Sequence, residues 1–184
     1  MTEPDRVTVT PTAESSNPET TGDRTVSPWR RSPLVTLLAT GMGSGMIRPY
    51  SGSWGTIPAV LLGWGLLRLE NPWPFAVGTV AMILLSIWVS GRAEPLFGHD
   101  SNRIVIDEFA GAFVALIALP THWHVMIPVF VLFRILDVVK PWPCRRFERL
   151  PGGWGVTMDD VMAGIYTNIA VRVLIFFQPE WFGV

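Results

Sequence analysis

Trp73-Pro74-Phe75-Ala76-Val77-Gly78-Thr79-Val80-Ala81-Met82-Ile83-Leu84-Leu85-Ser86-Ile87-Trp88-Val89-Ser90-Gly91 carries no charged residue from end to end. A straight helix needs roughly 20 predominantly apolar residues to cross a bilayer core, so this run points to a membrane protein. The other apolar runs, at about 34–47, 57–69, 109–119, 125–139 and 161–177, are shorter or carry charges. They have to be completed by their neighbours, buried in a bundle or only partly inserted. The expected fold is all-α: a compact multi-helix membrane bundle of about five short spans. The 34–47 run is broken by Gly41, Gly43 and Gly45, so it reads as a glycine-rich re-entrant or loop segment.

Composition agrees with that reading. Charged residues make up 16% of the 184-residue chain, against roughly 25% in soluble domains. There are nine Trp and two Tyr, and Trp73, Trp123, Trp142, Trp154 and Trp181 flank apolar runs, as interfacial anchors do. A net charge of −1 argues against nucleic acid as a partner, which needs a clustered basic surface. The single cysteine, Cys144, excludes an internal disulfide, and no zinc-type Cys/His spacing occurs. Residues 1–32 are rich in Thr, Ser, Pro and acids and read as a disordered N-terminal tail without secretory-signal character. Residues 33–184 are left as a single helical membrane domain.

Orientation follows from the basic residues. Arg30 and Arg31 precede the first run, Arg92 and Arg103 lie in the 92–106 connection, and Lys140, Arg145, Arg146 and Arg149 lie in the 140–159 connection. The intervening turns, 70–72 and 120–124, carry no Lys or Arg; Arg68 is the exception, placed to snorkel. Five spans with a cytoplasmic N-terminus satisfy the positive-inside rule. That topology gathers the glycine-rich segment and the acids described next on the cytoplasmic side.

Three segments place carboxylates inside or at the rim of apolar helices: Ile104-Val105-Ile106-Asp107-Glu108-Phe109-Ala110-Gly111, Phe133-Arg134-Ile135-Leu136-Asp137-Val138-Val139-Lys140 and Val156-Thr157-Met158-Asp159-Asp160-Val161-Met162-Ala163-Gly164. A carboxylate in low dielectric is costly unless a cation, a donor or water compensates it. Asp107, Glu108, Asp137, Asp159 and Asp160 are therefore candidates for a shared cation site and for catalysis. Asp107, Glu108, Asp137 and Asp160 are the expected metal ligands, and Asp100, beside His99, is a further candidate. The bland alternatives are helix N-terminal charge for Asp107 and Glu108, N-capping for Asp159 or Asp160, and an intrahelical ion pair for Arg134 and Asp137. Small residues on the same face, Gly111 after the first pair and Ala163-Gly164 after the second, read as room for a ligand.

Arg134 and Lys140 share a broad helical stripe with Asp137 and suit phosphate, Arg as a fork and Lys as a point charge. The segment from Gly41 to Thr56 offers unobstructed backbone N–H groups, with a helix starting after Thr56, and can cradle phosphate. Ser44, Ser53 and Arg48 within it are candidate phosphate contacts. It is not a Walker A loop, and glycines that pack membrane helices are an equal reading. His122 and His124 fall on the opposite side from the acids and are excluded.

At these residues the chain resembles the phosphatidylglycerophosphatase A family. The matching stretches are Gly43-Ser44-Gly45 with Gly52-Ser53-Trp54-Gly55-Thr56, His99-Asp100, the Asp107 and Asp137 segments (the latter through Pro141-Trp142-Pro143), and Gly153-Trp154-Gly155 running into the Asp159 segment. The order holds from about residue 34 to 177. The resemblance implies an all-helical, Mg²⁺-dependent lipid phosphatase that converts phosphatidylglycerophosphate to phosphatidylglycerol and phosphate, in the bacterial cytoplasmic membrane with its site facing the cytoplasm. It supports metal and phosphate roles for the five acids. The chain departs from the family pattern at Ser51-Gly52-Ser53, where Pro-Gly-Thr is usual, and at Arg48, where proline is expected. The rival from another class is a small cation transporter or channel subunit with intramembrane carboxylates. Arg134 and Lys140 would hinder a cation and suit an anionic headgroup.

Overall fold

The computed structural model describes residues 27–98 and 101–183, and every regular element there is helical. In chain order these are α1 (Pro28–Arg31), α2 (Pro33–Ala39), α3 (Ser51–Leu67), α4 (Trp73–Phe97), α5 (Ile106–Ala115), α6 (Trp123–Val139), α7 (Cys144–Phe147), α8 (Gly153–Phe177) and α9 (Pro179–Phe182), with a 3₁₀ turn at Ser44–Met46. The expected all-α class is present. Of the expected disordered tail, residues 1–26 lie outside the described residues, and Pro28–Arg31 form a helical turn.

Among the described residues two helices, α4 and α8, are long and apolar enough to cross a bilayer. Only 28% of the most apolar window of each is buried within the molecule, unlike the core helix of a soluble protein. The outer face of α4 exposes Val77, Val80, Leu84 and Trp88. Local signals set the ends of α4: Pro74 is tolerated in its first turn, and Gly98 stops it at φ +97°.

Packing in such a setting cannot lean on water-driven burial alone, so close approach through small residues matters. α8 meets α4 through Gly153 against Gly91 and through the Ser86 and Thr157 hydroxyls, 2.8 Å apart. It meets α5 through Gly164, against the Gly111 carbonyl. α5 is the hub: it packs on α3, α4, α6 and α8, and all ten of its residues are buried. Phe75 and Phe113 stack across the α4–α5 interface with ring centroids 5.9 Å apart.

Because protein encloses α5, its ten residues need not match a bilayer's thickness. Its last carbonyls still need donors. Asn168 Nδ2 donates to the Ala115 and Ile117 carbonyls, both at 2.8 Å, and Arg172 Nη2 donates to those of Ile117 and Ala118 at 2.9 and 3.1 Å. The interfacial tryptophans named from the sequence are exposed, and His124 packs against Trp123 and Trp181. Arg68 lies over the Trp64 ring at 5.1 Å.

Three expectations are corrected. α3 begins at Ser51 and not after Thr56, so Gly52 to Thr56 form its first turns. α8 begins at Gly153, which puts Asp159 and Asp160 beyond its first turn and removes any capping role. The small residues after the acidic pairs leave no room for a ligand. A Cβ on Gly111 would come within 2.6 Å of the Asp160 carbonyl and of the Phe133 ring, because these helices are already in contact.

Candidate active site

The N-terminal residues of α3 and α5, the C-terminal end of α6 and the second turn of α8 meet at one end of the bundle. They enclose a cleft of about 390 Å³ whose walls include Asp107, Glu108, Arg134, Asp137, Lys140, Asp159 and Asp160, with Tyr50, Ser51, Gly52, Ser101 and Asn102. All five acids singled out from the sequence thus stand together, although Asp107 and Asp160 come from segments far apart in the chain. Asp107, Glu108, Asp159 and Asp160 are 4–8% exposed.

Each acid is held by a definable contact. Arg134 Nη1 donates to Glu108 Oε1 at 3.1 Å and to Asp137 Oδ2 at 2.8 Å, so it ties α6 to α5 as well as forming the i,i+3 pair. The second Glu108 oxygen, Oε2, accepts a bond from Thr56 Oγ1 at 2.6 Å. Lys140 Nζ donates to Asp159 Oδ2 at 2.8 Å and lies 3.3 Å from Glu148. Lys140 adopts φ +46° where Pro141 stops α6, and this turns its ammonium inward to the cleft, not outward to the loop. Asp107 Oδ1 accepts the Glu108 N–H at 3.0 Å, and Asp137, Asp107 and Asp159 are the charged neighbours of Asp160.

Gly52 and Gly55 make the α3 side of this wall possible. A Cβ at Gly52 would come within 2.5 Å of Arg134 Nη2 and Glu108 Oε1, and one at Gly55 within 2.9 Å of Glu108 Oε2. Ser51 and Gly52 therefore bring the positive end of α3, which no side chain caps, to the cleft wall.

Sequence reasoning missed Thr56 as a site residue. Its spacing to Glu108 carries no local signal, and its hydroxyl also returns to the Gly52 carbonyl at 2.9 Å, as helical threonines often do. Thr56→Val, nearly equal in volume, is expected to leave Glu108 Oε2 without its donor and cost about 1–3 kcal/mol in the cleft. The check is a fall of about tenfold or more in catalytic rate, with the protein still folded in detergent.

Not every candidate lies here. Ser44 Oγ donates to the Gly41 carbonyl at 2.9 Å within its own turn, and neither Ser44 nor Ser53 lines the cleft. Arg48 lines an adjoining cavity instead. His99 and Asp100 lie outside the described residues. Cys144 is buried, and burial raises its thiol pKa, which suits a packed and unreactive group.

Five carboxylates against two cations is a charge excess that a divalent ion would relieve, and oxygen-only donors suit Mg²⁺. The donor chemistry fits. No three acids among the described residues already stand in ligand geometry, and Glu108, Asp137 and Asp159 are ion-paired with Arg134 or Lys140.

The chain is thus a helical bundle with a cleft at one end that is lined by acids and rimmed by Arg134 and Lys140. The phosphatidylglycerophosphatase A family model matches residues 37–175, and the chain belongs to that family. It is 41% identical to phosphatidylglycerophosphatase A of Haemophilus influenzae, over 78% of this chain and 90% of the relative. It is 36% identical to phosphatidylglycerophosphatase A of Escherichia coli, over 84% and 86%. A Bacteroides thetaiotaomicron protein, provisionally named a phosphatidylinositol-3-phosphatase, is 38% identical over 78% and 95%. No solved structure matches this chain significantly.

Proposed function

We propose that this chain is a membrane lipid phosphatase that hydrolyses phosphatidylglycerophosphate to phosphatidylglycerol and phosphate. The observation that carries the reading is the single cleft in which five acids, four of them buried and Asp137 half-buried, face Arg134 and Lys140, in a chain of this family. The reaction transfers the terminal phosphoryl group to water: the water oxygen bonds to phosphorus, the ester P–O bond breaks, and the glycerol oxygen takes up a proton. Arg134 and Lys140 neutralise the charge on the phosphoryl oxygens. A cleft carboxylate accepts the proton that the attacking water loses. Asp159 orients Lys140, while Thr56 orients Glu108 and leaves its other oxygen to Arg134.

Asp107, Glu108, Asp137 and Asp160 would hold Mg²⁺, with Asp100 as a further candidate, and the ion would supply Lewis-acid polarisation of the phosphoryl oxygens. The basic connections 92–106 and 140–159 support a cytoplasmic-facing site in a bacterial inner membrane, with about five crossings and residues 33–184 as one domain. A cation transporter is disfavoured, because Arg134 and Lys140 stand in the route a cation would take.

The test is purified protein in neutral-detergent micelles with phosphatidylglycerophosphate. Phosphate release is expected, with loss on chelation and recovery on adding Mg²⁺. Absence of release with Mg²⁺ present would overturn the enzyme reading; release that survives chelation would overturn the metal alone.

A further inference from the structure

A second cavity, about 640 Å³, adjoins the acid cleft and shares Tyr50, Ser51 and Asn102 with it. Its charged residues are of the opposite sign: Arg48 and Arg103 line it, and among the described residues no acid does. Both arginines are exposed, and among the described residues neither guanidinium makes a hydrogen bond or ion pair. The two come from separate segments brought together by close backbone packing. A Cβ on Gly45 would come within 2.6 Å of the Arg103 carbonyl, so the loop carrying Arg48 rests on the strand of chain carrying Arg103. The partition between the cavities is tied by Ser51 Oγ, which donates to the Asn102 carbonyl at 2.6 Å. Tyr50 beside it is held at φ +66°, a conformation that bulky residues avoid and that tends to persist at functional sites.

We propose that this cavity is a subsite for the phosphodiester of the lipid headgroup, with Arg48 and Arg103 as its specificity-determining residues. The inference rests on the functional reading above. Phosphatidylglycerophosphate carries two phosphates on one short polyol: a terminal monoester, which is cleaved, and a diester, which joins the glycerol to the diacylglycerol. A phosphatidylinositol 3-phosphate has the same arrangement on a different polyol, so the shared chemistry is an anion on each side of a small linker. The acid cleft takes the monoester. The diester keeps a single negative charge at every working pH and has no leaving role, so it requires unpaired cations and no carboxylates. Arginine forks over phosphate oxygens meet that requirement.

The test uses full-length protein in neutral-detergent micelles, comparing wild type with R48A/R103A and R48K/R103K. The alanine pair is expected to raise KM for phosphatidylglycerophosphate by about tenfold to a hundredfold with a much smaller change in kcat. The inhibition constant of phosphatidylglycerol, which has the diester but not the monoester, should rise by the same factor. That of inorganic phosphate, which has only the monoester's chemistry, should stay at the wild-type value. The lysine pair should recover most of the loss. An unchanged KM, equal shifts for both inhibitors, or an effect seen only in anionic vesicles and absent in neutral micelles would overturn the subsite; the last outcome would make the arginines a bilayer contact. A wild type that releases no phosphate would fail the functional reading and the subsite together. A working enzyme indifferent to R48A/R103A would fail the subsite alone.

Discussion

Asp160→Asn is expected to lower phosphate release by about a thousandfold while leaving the protein as thermally stable in detergent as wild type, or more so. The two halves of that result have one cause. Asp160 is 4% exposed and faces Asp137, with Asp107 and Asp159 also close by, so its charge is desolvated and repelled by its neighbours. An amide of the same shape removes a like charge from that cluster and can donate to Asp137. Stability is therefore unharmed, whereas the cleft loses an oxygen anion that a cation or a reacting proton needs. Sites of this kind hold destabilising charge together for the sake of chemistry. Steady-state phosphate release and the intrinsic tryptophan fluorescence of a thermal melt measure both quantities on one sample. Activity within tenfold of wild type would remove Asp160 from the machinery. A parallel fall in melting temperature would make it a structural residue.

Gly164→Ala is expected to cost about 1–3 kcal/mol of stability, and Gly164→Val to prevent accumulation of folded protein. The added Cβ would press on the Gly111 carbonyl and approach Val114 Cβ to 3.2 Å. The atom in the way is backbone of α5, all of whose residues are buried, so it cannot swing aside as a flexible side chain would. Parting α5 from α8 would also pull Asp107 and Glu108 away from Asp159 and Asp160, so activity should fall with stability. Gly65→Ala is the contrast. It lies inside α3 with open space around its Cβ position, and there the better helix propensity of alanine should leave stability unchanged or raise it by up to about 1 kcal/mol. Equal melting temperatures for Gly164→Ala and wild type would show that the α5–α8 approach is not limiting.

The acids themselves were readable because charge inside an apolar run is conspicuous without any structure. Arg134 and Asp137 were readable as a pair because i,i+3 spacing places them together on any helix. Glycines 111 and 164 were misread, since an absent side chain signals space and close packing alike, and only the neighbouring helix distinguishes them. Thr56 and Arg103 were invisible as site residues for the opposite reason: each is ordinary in its own segment and takes its meaning from a partner far along the chain. The start of α8 was placed too late, because Gly153 and Gly155 look like loop and in fact permit backbone contact: Gly153 with α4, and Gly155 with the Glu148 and Leu150 carbonyls.

Hydropathy, charge and residue order are properties of the chain taken one position at a time. By themselves they determined the helical class, the long uncharged α4, the family pattern and which carboxylates carry a cost. Tertiary packing alone decided that those carboxylates share one cleft, that Lys140 turns into it, and that two arginines open a second cavity beside it. Such placements depend on contacts between segments dozens of residues apart, made where glycine and small side chains let one helix backbone touch another, and no local pattern encodes which partner will be there.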